Sequence, residues 1–305
     1  MPELPEVETV CRGLNQVTLG HKILGGEVLL DRAIASSVSL PEFLAGITDQ
    51  VISQWHRRGK YLLAELRGLG HGEIKEKYHP LLPDSKSPIV CAQSPLSNWL
   101  VVHLRMTGQL LWLDREDALQ KHTRVRFFFE GGKELRFVDQ RTFGKIWWIP
   151  SGQDVKEFVS GLKAMGPEPF SPQFSVDYLA QQFKGRQRPI KTALLDQCAI
   201  AGLGNIYSDE ALFLAGVRST TPCSALTLDQ IQRLHKAIVQ VLDKAINEGG
   251  TTFSNFLNVE GTNGNYGGVA WVYRRTGQPC RVCQTPIQRI KLGSRSAHFC
   301  PQCQL

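Results

Sequence analysis

No stretch of this 305-residue chain approaches the roughly 18 consecutive apolar residues that a membrane-spanning helix needs. Its most apolar runs, such as residues 99–104 and 146–149, are strand-sized. The first residues bring in acids at once and lack an apolar signal core, so a soluble cytoplasmic protein with no membrane partner is expected. Internal repeats and low-complexity tracts are also missing, which argues against solenoids and against a disordered chain. What is present is ample for packing: 42% of residues are hydrophobic, and the length suits two domains, or two plus a small appendage.

Acidic residues are absent altogether from residues 261–305. The same segment carries Arg274, Arg275, Arg281, Arg289, Lys291 and Arg295, six basic groups in a chain whose formal net charge is +7. A local, acid-free basic patch is the electrostatic footprint expected for a phosphate backbone. A solvated basic tail with no partner has the same composition.

Cysteine is sparse, at eight residues. Cys11, Cys91, Cys198 and Cys223 are scattered and read as free, mostly packed thiols. The others are clustered: Cys280-x2-Cys283, then sixteen residues, then Cys300-x2-Cys303. Each pair sets two thiolates on one tight turn, and two such turns close a tetrahedron around one Zn2+. With four sulfur ligands no position remains for water, so the metal is structural. Disulfides suit a chain without an export signal poorly. Residues 287–292 and 295–299 between the pairs read as two strands of a hairpin whose basic side chains point to nucleic acid.

Along the chain, Glu6, Val7, Val10 and Leu14 suit a short amphipathic helix near the N-terminus. Residues 22–150 read mainly as strands, among them 51–55, 61–66, 99–104, 125–129, 134–138 and 145–149, with Gly131-Gly132 as a hairpin turn. Many short strands of this kind suggest a β-sandwich or barrel. Residues 68–95, rich in Gly and Pro, read as a surface insertion. After a linker at Pro150-Ser151-Gly152 the spacing turns helical, over 176–183, 189–196, 206–214 and 228–247. Thr227 is a candidate cap for the last of these and Gly249-Gly250 its stop. The expected class is α+β multidomain, divided as 1–150, 151–270 and 271–305.

The N-terminus reads Met1-Pro2-Glu3-Leu4-Pro5-Glu6-Val7-Glu8. Removal of an initiator Met, common before Pro, would expose a secondary amine at Pro2. An α-amino group titrates near ~8 against ~10.4 for lysine, so a useful fraction is unprotonated at neutral pH. Such an amine can attack a sugar C1′ and form a Schiff base, with the adjacent Glu3 moving a proton. Taken alone, these residues fit an ordinary disordered, acidic terminus better than a catalytic one.

Together with the glycine-rich turn before Asn205 and the cysteine hairpin, this start resembles the formamidopyrimidine-DNA glycosylase family, in order and over nearly the whole chain, with details most similar to its cyanobacterial type. The resemblance implies an N-terminal β-sandwich with a helix, a helix–two-turn–helix domain and a zinc-finger β-hairpin, with DNA bound between. It implies a monomeric bifunctional glycosylase and abasic-site lyase acting on double-stranded DNA that contains oxidised bases or abasic sites. One structural Zn2+ is its only cofactor. Pro2 would be the nucleophile, Glu3 its partner, and Glu6 would shape the pocket. Lys60, after Arg57-Arg58-Gly59, matches the catalytic hairpin lysine. Met106 in His103-Leu104-Arg105-Met106-Thr107-Gly108, with Arg141 and Phe143 in Asp139-Gln140-Arg141-Thr142-Phe143-Gly144, matches the residues that fill the gap left by a flipped base. Asn205 matches a phosphate-binding asparagine at a helix start, where a simple helix cap is the plainer reading. Arg295 matches the zinc-finger arginine on the flanking phosphates, and Lys191 is a further candidate phosphate contact.

The chain departs from the family pattern in three places. The 68–95 insertion is longer than usual, Gln284 replaces a common glycine after the second cysteine, and residues 258–268, where a lesion-capping loop belongs, are Gly- and Asn-rich. Two rivals remain at this point: a sister enzyme acting on oxidised pyrimidines, and a zinc-finger protein that binds damaged DNA without cutting it.

Overall fold

The computed structural model describes residues 1–35, 37–68, 97–251, 259 and 261–305. The 68–95 insertion therefore lies outside the described residues apart from Gly68, as do Cys91 and positions 258 and 260 of the candidate capping loop. Among the described residues no helix is long and apolar enough to cross a membrane. The chain forms two compact units. One holds the described residues up to 163 and takes back Gly249–Gly264; the other holds Ala164–Glu248 and Asn265–Leu305.

The first unit is a sandwich of two antiparallel four-stranded sheets. One has β1 (Ile23–Val28), β6 (Thr123–Phe129), β7 (Lys133–Asp139) and β5 (Gly108–Asp114) in the order β1-β6-β7-β5. The other has β2 (Gln50–Arg58), β3 (Tyr61–Gly68), β4 (Asn98–His103) and β8 (Lys145–Ile149) in the order β2-β3-β4-β8. Alternation along β6 buries Thr123, Val125, Phe127 and Phe129 and turns the residues between them outward. Val125, Phe127 and Phe129 share one core with Ile52, Leu62 and Leu100 of the second sheet. The expected turn at Gly131-Gly132 joins β6 to β7, with φ of 69° and 72° that glycine adopts freely.

Helix α1 (Leu4–Val17) lays Val7, Val10, Cys11 and Leu14, its i, i+3, i+4, i+7 stripe, into that core. Its polar side is tied to β2 by Glu8, which accepts from Arg57 Nε at 2.7 Å and Arg12 Nε at 2.9 Å. Burial raises the Glu8 carboxyl, but the two guanidinium groups outweigh it and hold the group below the ordinary carboxylate range. Helix α2 (Leu40–Ile47) falls in a region read as strands. Ser39 and Glu42 form a reciprocal capping box there, and Phe43 and Ile47, one turn apart, reach the core. Two short helices, α3 (Val155–Phe158) and α4 (Ser160–Lys163), follow Pro150-Ser151-Gly152.

In the second unit, α5 (Val176–Phe183) starts at Ser175, whose Oγ accepts the Tyr178 N–H. Helix α6 (Ile190–Leu194) is shorter than the expected 189–196 span, because the backbone leaves the helix at Leu195 and Asp196. Helix α7 (Asn205–Ala215) is buried on almost every side, and α8 (Leu228–Asn247) covers it with a stripe of Ile231, Leu234, Ile238, Val241 and Leu242. Thr227 caps α8 by accepting the Gln230 N–H at 3.2 Å, and the chain turns away at Gly249, φ 71°. A single turn, α9 (Tyr266–Val269), precedes the hairpin of β9 (Gln288–Leu292) and β10 (Arg295–Phe299), paired from Arg295↔Leu292 to Phe299↔Gln288. Of the scattered cysteines, Cys11 and Cys223 are buried and Cys198 is exposed.

Arg136 is a wholly buried cation of the sandwich. Arg136 pairs with Glu134 and donates to the carbonyls of Ala118 (2.8 Å) and Asp117 (2.6 Å) and to Gln120 Oε1 (2.9 Å), fixing the 114–120 turn. Arg126 also pairs with Glu134, at 2.8 Å. Arg136→Ala leaves several buried acceptors without a donor while Arg126 still neutralises Glu134. We expect a loss of about 3 kcal/mol, near the low end for a broken buried pair, measured by urea unfolding.

Candidate active site and metal centre

The first turn of α1 is built around Glu6, itself buried. Glu6 Oε2 accepts the Glu3 backbone N–H at 2.7 Å, and Oε1 accepts the Thr251 N–H at 2.8 Å. Gly250 makes the second contact possible. Its φ is +79°, and a Cβ there would lie 3.1 Å from Glu6 Cγ and Oε1. The carboxylate thus joins the start of the chain to a turn some 245 positions later. Glu3 is 2% exposed and Pro2 is buried, while Met1 stays outside. A potential amine and two carboxylates are thereby set in one small volume.

Lys60 follows Gly59 (φ 55°) at the β2–β3 turn and is 6% exposed. Its neighbour Tyr61 stands opposite His103 of β4, with ring centroids 4.4 Å apart. His103 Nδ1 accepts the Arg105 backbone N–H at 3.0 Å, which puts the imidazole proton on Nε2. Arg105 is left-handed, φ 54°, so the chain reverses there before Met106. The second loop leaves the end of β7 and carries Arg141, whose guanidinium carbon lies 5.0 Å from the centre of the Phe143 ring. Phe143 is 51% exposed, unusual for a large apolar side chain. Gly108 and Asp139 are partners on one rung of the β5–β7 ladder, so both loops emerge from the same sheet end.

In the second unit, Gly204 rather than Asn205 is the N-cap of α7. The cap reading of Asn205 is therefore set aside. Its Nδ2 reaches Tyr273 Oη at 3.5 Å, a long contact, and its Oδ1 has no hydrogen-bond partner. Arg295 is exposed at the start of β10, and Arg289 and Lys291 are exposed on β9.

Lys191, the further candidate phosphate contact, has no exposed side-chain area. Its Nζ pairs with Asp209 Oδ1 at 2.6 Å and donates to the Ser296 carbonyl. Asp209 Oδ2 accepts the backbone N–H of His298 at 2.9 Å and lies 3.1 Å from its Nδ1. A lysine this deep needs a counter-charge. Here Lys191 and Asp209 fasten β10 to α7. Glu210, next to Asp209, accepts the backbone N–H groups of Trp271, Val272 and Tyr273 at 2.7–2.9 Å. Burial pushes its carboxyl up in spite of these donors. The segment entering the cysteine hairpin is fixed in this way.

The Sγ atoms of Cys280, Cys283, Cys300 and Cys303 all lie within 4.8 Å of one another. Ligands at the usual Zn–S distance of about 2.3 Å stand a little under 4 Å apart. Separations of 3.9 Å for Cys280–Cys303 and 3.4 Å for Cys283–Cys300 fit that ion. The Val282 and Cys303 N–H groups point at Cys280 and Cys300 sulfur, each at 3.4 Å, as suits thiolates. The described residues contain no other such ligand cluster.

Sequence reasoning missed the carboxylates that hold these parts, Asp139, Asp209 and Glu210, and the acceptor role of His103. Asp139 stands inside a quoted motif, just before a loop with a left-handed residue, Thr142 at φ 57°. The partners of Asp209 and Glu210 are up to 89 positions away, beyond any local pattern.

Three family models match in succession. The formamidopyrimidine-DNA glycosylase N-terminal domain covers residues 1–146, the H2TH domain of the same glycosylase 165–256, and the zinc finger found in FPG and IleRS 277–305. A Nostoc sp. protein named formamidopyrimidine-DNA glycosylase is 60% identical over 305 residues, spanning 100% of both chains. Among solved structures, a Lactococcus lactis FPG mutant in complex with Fapy-dG-containing DNA superimposes with a TM-score of 0.84 at 31% identity, over 99% of each chain. The Lactococcus lactis Fpg complex with DNA containing an abasic site gives 0.83 at 31% identity, also over 99% of each.

Burial first, then the charges of Arg105 and Lys60, push the His103 imidazole down to about 3. An unfolded chain protonates this group below about 6.5, the folded chain only near 3. Folded-state stability from this residue is therefore complete above pH 6.5 and lost as pH falls across that window. We expect the His103 ring to remain neutral, with its proton on Nε2, in 15N spectra at pH 5. A ring titrating near 6.5 would contradict the assigned contact.

Proposed function

The chain belongs to the formamidopyrimidine-DNA glycosylase family, and from that membership we propose that it excises oxidised purines, 8-oxoguanine and formamidopyrimidines, from double-stranded DNA and then cleaves the strand at the abasic site. The observation that carries this reading is the buried turn in which Glu6 holds Glu3, and with it Pro2, against Thr251. We assign the three modules to residues 1–150, 151–270 and 271–305, and place the enzyme as a monomer on DNA in the cytoplasm.

With Met1 removed, the Pro2 nitrogen bonds to C1′ as the bond from C1′ to the base breaks, and the base leaves with a proton. Glu3 passes a proton to the sugar ring oxygen as the ring opens, giving an iminium between Pro2 and C1′. Loss of a C2′ proton then expels the 3′ phosphate, a second elimination expels the 5′ phosphate, and a one-nucleotide gap remains. Lys60, Asn205 and Arg295 grip phosphates; Arg and Asn donors suit those oxygens. Met106, Arg141 and Phe143 occupy the space of the extruded base. Met is flexible and apolar, Arg reads the orphaned base, and Phe wedges the stack. Glu6 shapes the pocket. Lys191, with its charge committed to Asp209, supports this interface from within. Zinc, bound by the four cysteines, holds the hairpin that presents Arg295 and supplies no chemistry.

The test is competition between an 8-oxoguanine·cytosine duplex and a thymine glycol duplex, scored by released base and by a gap carrying phosphate on both sides. We expect the purine lesion to be processed faster and Glu3→Gln to lower base release by roughly a hundredfold or more, the scale of a lost acid–base catalyst. Preference for thymine glycol would move the chain to the oxidised-pyrimidine sister activity. Binding without any released base would leave a damage-binding protein.

A further inference from the structure

We propose that Asp139 is a positioning residue for base extrusion: its buried carboxylate locks the Met106 loop and the Arg141–Phe143 loop into one preformed wedge. The proposal rests on the gap-filling reading of those three residues.

Asp139 is 1% exposed, although the loop it precedes ends in the exposed Phe143. One oxygen bridges the two loops and the other holds the far end of the second. Oδ1 accepts the Thr107 hydroxyl at 2.5 Å and the Arg141 N–H at 3.2 Å, and Oδ2 accepts the Gly144 N–H at 2.7 Å. Thr107 closes the link from the other side, because its Oγ1 also accepts the Arg141 N–H, at 3.0 Å. Thr107 follows Met106 directly, and Arg141 and Gly144 bracket Phe143. One carboxylate and one hydroxyl therefore fix the backbone on both sides of the proposed wedge. Asp139 is itself held at both main-chain ends, by the His122 carbonyl (2.9 Å) and by Arg124 Nε on its own carbonyl (2.9 Å). Gly144 is needed for the close approach, since a Cβ there would stand 2.4 Å from Phe137 Cζ and 3.0 Å from Asp139 Oδ2. Each loop also contains a non-glycine residue at positive φ, Arg105 at 54° and Thr142 at 57°. Such conformations persist only where neighbouring contacts enforce them.

Driving side chains between stacked bases is unfavourable, and ordering two free loops at that moment would add to the barrier. Loops already fixed to each other avoid that addition. A displacement of about 1 Å in such a device can lower a rate a hundredfold. A carboxylate suits the task because charge-assisted bonds to N–H and O–H groups are stronger and more geometrically demanding than neutral ones.

The experiment compares zinc-loaded full-length wild type, Asp139→Asn, Thr107→Val, Thr107→Ser and Met106→Ala, each checked for an intact melting transition. Two rates are read: single-turnover base release from an 8-oxoguanine·cytosine duplex, and borohydride trapping on a single-stranded abasic oligonucleotide, which has no base to extrude. We expect Asp139→Asn to lower the ratio of the first rate to the second by roughly tenfold or more. Thr107→Val should lower it in the same direction and Thr107→Ser restore it. Adding Asp139→Asn to Met106→Ala should cost less than it does alone, because both act through one device. If Met106→Ala lowers the ratio and Asp139→Asn leaves it at the wild-type value, the positioning role is wrong. A folded Asp139→Asn that loses both rates equally would also overturn it. If Met106→Ala itself leaves the ratio unchanged, the gap-filling reading fails and takes this proposal with it.

Discussion

A chain terminus is the part of a domain most prone to fray, and the proposed nucleophile, Pro2, stands at that terminus. The Glu6 carboxylate meets that constraint. One oxygen takes the backbone N–H of Glu3 and the other that of Thr251, so the first helical turn is tied to a distant segment of the same unit. The stripe of Val7, Val10 and Leu14 anchors the rest of the helix in the core. With the terminus placed, a weakly basic amine and a proton donor can work at a fixed separation, the condition under which proximity lowers a barrier.

The same physical device recurs through both units. Asp139 gathers N–H and O–H donors from two loops, Asp209 takes β10 and Lys191, and Glu210 takes three successive N–H groups of the segment entering the cysteine hairpin. Each is a buried carboxylate surrounded by donors, and a buried anion is tolerated only when so satisfied. Loops that have to meet DNA are in this way fixed from behind by charge-assisted bonds, while the exposed side chains Arg141, Phe143 and Arg295 stay on the outside. Zinc does for the hairpin what the carboxylates do elsewhere.

Much of this was legible in the residues. The strand pattern, the long capped helix over Leu228–Asn247 and the four-cysteine ligand set follow from period, cap and spacing, all local signals. Helix α2 was missed although Ser39-x-x-Glu42 announces it, because its eight residues sit within a long run of strands. Lys191 was read as a candidate phosphate contact, and charge alone does not reveal burial; the distant Asp209 and Ser296 account for its setting. Asn205 was open to a capping role until Gly204 took that position. Carboxylate anchors escape a sequence reading in general, since their partners are backbone N–H groups that every residue possesses.

In the proposed reaction the nitrogen of Pro2 bonds covalently to the sugar of a damaged nucleotide. This step is tested most directly by borohydride reduction of the protein on an 8-oxoguanine·cytosine duplex, followed by mass mapping of the cross-linked peptide. We expect an adduct on a peptide that begins at Pro2, lost when that amine is blocked beforehand. An adduct mapped to Lys60 or another internal lysine, or no adduct from zinc-loaded protein lacking Met1, would contradict it.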